Sequence, residues 1–260
     1  MDSKVRERRR SVNLQRGRKR GSLILLLVAV LVVIGLFLWL RSSSVFAVRR
    51  VLAPSLVHVS SEQVREAAAG ARGVSLLKVS THDVEKKLTA LPYVRSAEVY
   101  RHFPDALEVT VQEYQPLAKV QAADGHLWLV ADDGKILAPG DGSGASGAGD
   151  LVLIVPATSF TAKAGSRLPE LIAGALPVAK LMEQADFTKT FPHVAKITVS
   201  DDGRTAVILD GGAELRLGDP VELKDKLTVA AQIIEQYLRD GKQLLYADVS
   251  VPSRAVAKPR

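Results

Sequence analysis

The chain has 260 residues, no cysteine and a net charge of +7. Residues 1–20 carry nine basic and two acidic side chains, which accounts for the whole excess, so residues 21–260 are neutral overall. A folded basic surface for nucleic acid is not supported by this balance. Disulfide cross-links are impossible, so the 220 residues after residue 40 must be stabilised by one or two hydrophobic cores.

Gly21 to Leu40 forms an apolar stretch of twenty residues without charge, Asn, Gln or Pro. At about 1.5 Å per residue, a helix of this length reaches roughly 30 Å, the thickness of the hydrocarbon layer. The pattern therefore predicts one transmembrane helix. The basic tail beside it predicts a cytoplasmic N-terminus and a single-pass type II protein whose bulk lies outside the cytoplasm. A signal peptide cleaved near Ala47 is the alternative, but this apolar core is longer than those of signal peptides.

Five elements are predicted in residues 45–115, in the order strand, helix, helix, strand, strand. They span Val45–Leu52, Ser60–Gly70, Thr81–Leu91, Tyr93–Tyr100 and Leu107–Glu113. Ser60, with Gln63 three residues on as in a capping box, and Ser80 are the predicted helix caps. In the second helix Val84, Leu88 and Leu91 recur at i, i+4 and i+7, which predicts a buried face. Such a unit packs two helices on one face of a three-stranded sheet.

From Pro116 the pattern changes to short strands and tight turns, which predicts a mostly antiparallel β domain with one or two helices over residues 116–252. A helix kinked by Pro177 is predicted over Leu168–Gln184, and a second helix is predicted to begin at an Asp219 cap. Residues 139–150 are rich in glycine and read as a flexible loop. Asp132-Asp133-Gly134 predicts a turn, and Asp202-Gly203 predicts a hairpin. The fold class is therefore α+β, and residues 253–260 form a tail with little pattern.

No residue pattern predicts catalysis or a bound cofactor. The five histidines lack metal-ligand spacing, there is no thiol, and no G-x-S-x-G motif occurs. Gly142 to Gly147 matches G-x-G-x-x-G, but no helix follows it, so it reads as a loop. We therefore expect no enzyme, no metal, no cofactor, no small-molecule substrate and no nucleic acid.

Residues 91–118 carry a specific motif of the type l-P-x-V-x-x-a-x-V-x-r-x-x-P-x-x-l-x-v-x-v-x-E-x-x-P-x-A. Its members include Pro92, Val94, Arg101, Pro104, Glu113 and Pro116. Together with Phe46, Val48 and Val51, this region resembles the polypeptide-transport-associated (POTRA) domain of the FtsQ/DivIB cell-division family. Val207–Gly218 and the closing Tyr246-to-Pro252 segment resemble later motifs of that family. Ala53-Pro54 departs from the usual glycine after the first strand.

The resemblance implies a bitopic scaffold at the septal cell membrane that has no catalysis of its own. It implies binding to FtsB/DivIC-like and FtsL-like proteins outside the cytoplasm and a part in controlling septal peptidoglycan synthesis. It also implies that a partner binds at the C-terminal strand and the residues just after it.

Leu244–Val251 is predicted as the last strand of the chain, so nothing later in the sequence need cover its outer edge. An uncovered edge offers unpaired amide groups to a partner strand, and Pro252 would limit how far that pairing runs. The predicted partner-binding residues are Tyr246, Asp248, Val249, Ser250, Val251, Pro252, Ser253, Arg254, Ala255 and Val256.

Two functions of other classes stay open. A membrane-anchored POTRA-type chaperone or transport module would bind β-strands of exported proteins, and that function is typical of tandem units or an outer-membrane barrel. A cell-wall hydrolase would need paired acids, a thiol or a metal site, and the sequence indicates none.

Overall fold

A computed structural model describes residues 25–35, residue 39, and residues 44–140, 151–184 and 193–260. The basic tail, the predicted span ends Gly21 and Leu40, and residues 141–150 of the glycine-rich stretch lie outside these ranges. Residues 25–35 are helical, and their large apolar side chains are 48–75% exposed. Within the described ranges, no helix is both long enough and apolar enough to cross a membrane.

The first sheet has three strands and two accompanying helices. Strands β1 (Arg50–Leu52), β2 (Val94–His102) and β3 (Ala106–Glu113) lie in the order β1-β3-β2. Between β1 and β2 the chain forms helices α1 (Ser61–Ala67) and α2 (Thr81–Thr89). The predicted order of strand, helix, helix, strand, strand is therefore confirmed.

Both helices begin at the predicted caps. At α1 the Ser60 backbone N–H donates to Gln63 Oε1 at 2.9 Å, and the Gln63 N–H donates to Ser60 Oγ at 3.2 Å. This reciprocal pair is a capping box, which satisfies two amides that a helix leaves without partners. At α2 the Asp83 N–H donates to Ser80 Oγ at 3.3 Å. Helix starts could be predicted because caps depend on residues three positions apart.

The first strand is shorter than predicted. Of the predicted Val45–Leu52, only β1 pairs with β3, and a short 3-10 helix (Ser44–Phe46) occupies the start. Between them the Val48 N–H donates to the Val74 carbonyl oxygen at 3.0 Å. The backbone of this stretch is thus paired with a segment that follows α1. An apolar, strand-like pattern in the sequence does not show whether a residue pairs there or within the three-stranded sheet.

The second, larger sheet has nine strands in the order β12-β11-β10-β9-β8-β7-β4-β5-β6. Its strands are β4 (Pro116–Gln121), β5 (Leu127–Ala131), β6 (Ile136–Pro139), β7 (Leu153–Pro156), β8 (Val194–Val199), β9 (Thr205–Leu209), β10 (Glu214–Gly218), β11 (Leu244–Asp248) and β12 (Val256–Pro259). Three neighbouring pairs, β4–β7, β7–β8 and β10–β11, are parallel, and the other five are antiparallel. The sheet is therefore mixed, with antiparallel pairs in the majority.

Three helices accompany this sheet in the described residues: α3 (Glu170–Ala173), α4 (Leu176–Met182) and α5 (Leu223–Arg239). The predicted kinked helix is split into α3 and α4, and Pro177 lies in the first turn of α4, where a missing N–H is tolerated. Helix α5 begins after Glu222, whose φ is 52°, so the predicted Asp219 cap is wrong.

The core of the larger sheet forms between one of its faces and these helices. Alternate residues of the central strands, such as Val207, Leu215 and Ala247, are fully buried at 0% exposure. They join Leu227 and Ala230 of α5 in one hydrophobic cluster. Alternation leaves the intervening strand residues on the opposite, more exposed face.

The chain divides into two compact units. One comprises Met1–Pro54, Val64–Glu85 and Glu98–Thr110, and the other comprises Ser55–Gln63, Lys86–Ala97 and Val111–Arg260. The division passes through α1, α2, β2 and β3. The predicted domain boundary between residues 115 and 116 stays a prediction.

Candidate partner-binding site

The strand predicted to carry a free edge does not have one. Strand β11 lies between β10, with which it is parallel, and β12, with which it is antiparallel. The chain turns back through a 3-10 helix at Pro252–Arg254, so Val256 comes to lie opposite Asp248. The prediction of an uncovered edge at β11 is therefore wrong, since the residues interpreted as a tail form one more strand. At this end of the sheet the terminal strand is β12.

The ten predicted partner-binding residues form one continuous hairpin. Tyr246 and Asp248 lie in β11, Val249 is fully buried after it, and Val256 opens β12. The residues between them are Ser250, Val251, Pro252, Ser253, Arg254 and Ala255. Val251 and Val256 are 51% and 58% exposed, which places apolar surface beside the edge strand.

The exposed face of this end of the sheet carries an ordered row of side chains. Successive strand pairings align Lys196, Ile208, Glu214, Tyr246 and Lys258 across five strands. Both lysines are exposed, and the other three residues are half-buried. A strand added beyond β12 would extend this row, and the side chain next to Lys258 would be favoured if it were acidic.

Arg216 connects two members of the face. Its guanidinium lies 4.5 Å from the centre of the Tyr246 ring and donates to Glu214 Oε2 at 3.1 Å. The bond to Glu214 raises the pKa of Arg216 above its usual range. The guanidinium lies over the ring in a cation–π contact, which stabilises this position of Tyr246 next to β12.

The turn after β11 is shaped by Asp248 and Ser250. Asp248 Oδ1 accepts hydrogen bonds from the Ser250 N–H at 3.0 Å and from the Ser250 hydroxyl at 2.6 Å. Burial raises the pKa of Asp248, but these two bonds and Arg216 outweigh it, so the pKa lies below its usual value. The stability that this carboxylate contributes is therefore present above its unfolded-state pKa and is lost as the pH falls through the lower folded-state pKa.

Gly218 allows this turn to approach β10 closely. Its φ is +67°, and a Cβ there would lie 2.9 Å from the Cβ of Ser250. We expect Gly218→Ala to lower the free energy of unfolding by about 1–3 kcal/mol, from a left-handed backbone and from the close contact together. Urea unfolding followed by circular dichroism measures this loss.

Gly125→Ala is the matched control for the backbone contribution alone. Gly125 also has a positive φ, of +83°, but a Cβ there would meet nothing within 4 Å. The difference between the two variants therefore measures the clash with Ser250. Equal losses would contradict the close approach of the turn to β10.

The POTRA-motif residues hold backbone in place. Arg101 donates from Nε to the Leu76 carbonyl oxygen at 2.7 Å and from Nη2 to the Val79 carbonyl oxygen at 2.9 Å. Glu113 accepts three backbone N–H bonds from residues 57–59 at 2.7–2.9 Å. These polar side chains satisfy main-chain groups of irregular segments, which is a structural role.

The apolar and proline positions of the motif are structural as well. Pro92 follows α2, Val94 opens β2 and is 1% exposed, and Pro116 opens β4. The Phe103–Pro104 peptide bond is cis and lies in the turn between β2 and β3.

A polar cluster around Tyr114 could not be predicted from the sequence. Lys135 Nζ donates to the carbonyl oxygens of Leu91 and Val94, at 3.1 Å each, and lies 5.1 Å from the centre of the Tyr114 ring. The Tyr114 hydroxyl donates to Asp133 Oδ2 at 2.8 Å. Burial lowers the pKa of Lys135, and burial with the Asp133 bond raises the pKa of Tyr114. The cluster binds the backbone that follows α2.

The only sequence signal at this cluster was the Asp132-Asp133-Gly134 turn. Asp133 does form that turn, since its Oδ1 accepts the Lys135 N–H at 3.1 Å. It also pairs with Arg167 at 3.0 Å, and Asp132 pairs with Arg95 and with Lys180. In the described residues, no group of three or more acidic or histidine side chains could hold a metal ion.

Two family models match this chain, one over the region of the three-stranded sheet and one over most of the nine-stranded sheet. Residues 46–114 match the family model described as "POTRA domain, FtsQ-type", and residues 118–250 match "Cell division protein FtsQ/DivIB, C-terminal". The chain therefore belongs to the FtsQ/DivIB family of cell-division proteins.

Three relatives, each named cell division protein FtsQ, show how far the similarity extends. The chain is 28% identical to the one from Anaeromyxobacter sp. (strain K), over 77% of this chain and 66% of the relative. It is 30% identical to that of Mycobacteroides abscessus, over 74% of this chain and 60% of the relative. It is 27% identical to that of Burkholderia pseudomallei, over 90% and 87%. The chain thus spans less than two thirds of the length of the first two.

Proposed function

We propose that this chain is a bitopic membrane scaffold of the bacterial divisome, without catalysis of its own. It binds FtsB/DivIC-like and FtsL-like proteins outside the cytoplasm and thereby helps control septal peptidoglycan synthesis. Family membership supports a protein–protein role in division. The apolar stretch Gly21–Leu40 beside a basic tail supports an anchor with a cytoplasmic N-terminus.

The observation that carries the proposal is the edge strand β12. It is four residues long, and within the described part of the chain it pairs with β11 alone and ends the order of strands in the larger sheet. A sheet edge of this kind offers main-chain groups to which a partner strand can bind. The exposed Val251 and Val256 lie at the start of this edge and supply apolar contact area.

The register of β12 indicates which amide a partner would use. The Arg260 N–H donates inward to the Gln243 carbonyl oxygen at 2.9 Å. In an antiparallel pair, alternate residues turn their amide groups to the same side. We therefore infer that the N–H groups of Lys258 and Val256 point toward β11, whereas the N–H of Ala257 points away from it. Pro259 would face outward too, but proline has no N–H to donate.

The experiment follows from this assignment. We expect Ala257→Pro to weaken binding of the FtsB/DivIC-like partner by about 5- to 150-fold, because a lost main-chain bond leaves a partner carbonyl group unpaired at roughly 1–3 kcal/mol. The pairing with β11 should survive, since proline is tolerated where a strand N–H faces solvent. Binding is measured with the full-length chain in detergent by titrating the purified partner.

Ala257→Ser is the matched control, because it changes the side chain at the same position but keeps the N–H. It should bind the partner as the unsubstituted chain does. If Ala257→Pro remains folded by circular dichroism and binds as tightly as Ala257→Ser, the partner does not add a strand to β12.

A further inference from the structure

The turn between β2 and β3 exposes an aromatic ring close to the first described residues of the folded region. Phe103 is 51% exposed, and its ring packs edge-on against Phe46 with 5.9 Å between the ring centres. Val45, next to Phe46, is 58% exposed. The Arg49 N–H donates to the Asp105 carbonyl oxygen at 2.8 Å and holds the turn beside the start of β1. We call Val45, Phe46 and Phe103 the apolar tip.

The chain places the apolar tip near the proposed membrane anchor. Val45 is five residues after Leu40, where the apolar stretch ends. An extended chain spans at most about 3.3–3.6 Å per residue, so Val45 lies within roughly 18 Å of the end of that stretch. This distance is an upper limit, so it allows the tip to lie in the headgroup layer, which extends about 5–8 Å beyond the hydrocarbon on each side.

The charges beside the apolar tip favour an anionic surface. Arg49 and Arg72 are exposed, and the N–H of Gly73, which follows Arg72, donates to the Val48 carbonyl oxygen at 3.0 Å. Arg50 is already paired with Asp105 at 2.7 Å. Exposed arginines close to a bilayer are attracted by acidic lipids, and aromatic rings prefer the interface between headgroups and hydrocarbon.

We propose that the apolar tip is a membrane-contact surface, which inserts Phe103 and Val45 into the interface of the bilayer that holds the anchor. The occupant is a lipid surface rich in anionic headgroups. This inference rests on the proposed anchor at residues 21–40 and goes beyond it, since an anchored domain could equally well be held clear of the lipid. Contact at the tip would fix the tilt of this compact unit relative to the membrane plane.

The chain has no cysteine, so single cysteines can be labelled without removing others. Full-length Phe103→Cys and Val45→Cys are each labelled with a nitroxide and reconstituted into vesicles that contain anionic lipid. Power saturation then compares collisions with oxygen, which concentrates in lipid, and with a water-soluble nickel complex. We expect labels at both positions to collide more often with oxygen than with the nickel complex. Two separate positions keep the test valid if one substitution disturbs folding.

Two reference positions separate the possible failures. Leu31→Cys reports on the anchor, and Val221→Cys, whose native side chain is 60% exposed, reports an apolar position in the other compact unit. If the ratio of oxygen to nickel collisions is high at position 31 but low at positions 103 and 45, the membrane contact alone is overturned. A low ratio at position 31 overturns the anchor itself. Low collision rates with both reagents at 103 and 45 indicate a protein contact and also overturn the proposal.

Discussion

Leu88→Ala should lower the free energy of unfolding by about 2–5 kcal/mol. Leu88 is 0% exposed in α2, and Val84, one turn earlier on the same stripe, is 5% exposed. The substitution removes three buried carbon atoms. Their transfer free energy is lost, and the neighbouring side chains fill the resulting cavity only in part. The measurement is urea unfolding of the purified chain in detergent, followed by circular dichroism.

Lys87→Ala is the control on the same helix. Lys87 is exposed, and substitutions at such positions usually change stability by less than about 0.5 kcal/mol. Leu88→Ala and Lys87→Ala should therefore differ by several-fold in their effect. A loss at Leu88 no larger than that at Lys87 would mean that α2 does not pack its predicted stripe into the core.

Glu113→Ala should cause the second large loss, of about 2–4 kcal/mol. The carboxylate accepts N–H bonds from Val57, His58 and Val59, and bonds to a charged group contribute roughly 1.5–3 kcal/mol each when buried. We take less than the sum because this site is partly exposed to solvent. The stacked rings of His58 and Tyr93, 4.4 Å apart, should separate as the segment loosens.

Two variants control for this result. Glu113→Gln keeps one carbonyl oxygen that can accept from the same amides, so its loss should be intermediate. Glu108→Ala, on the same strand, removes an exposed carboxylate that lies 3.7 Å from His102 and should be nearly neutral. Hydrogen exchange of the amides at residues 57–59 should accelerate only in the Glu113 variants. Unchanged exchange there would contradict the role of Glu113.

Local signals were sufficient for much of the fold. The capping box at Ser60 and Gln63, the Asp202-Gly203 hairpin between β8 and β9, and the stripe on α2 each depend on residues within one turn or one reversal of the chain. Their energies are set almost entirely by neighbours in sequence, so their patterns could be predicted. The resemblance to the FtsQ/DivIB family likewise depended on motifs that pack or cap the backbone, and the family matches agree with it.

The candidate site could be predicted only in position along the chain. The sequence predicts a site within Tyr246 to Val256 but makes β11 the last strand, because residues 256–259 have no apolar alternation. A four-residue strand such as β12 is stabilised by main-chain hydrogen bonds to a neighbouring strand. Such bonds do not require particular side chains, so the residue types do not predict the strand. The inference that the Ala257 N–H points away from β11 depends only on the observed register.

The sequence alone therefore determined the order of elements in the first sheet, the starts of its helices and the resemblance to a family, because these depend on short-range periodicity and on motifs. Only the tertiary structure decided which strand is terminal among the described residues and which groups Lys135 binds. Lys135 binds carbonyl groups more than forty residues earlier in the chain. A contact between groups so far apart depends on how the backbone folds between them, and no local pattern encodes it.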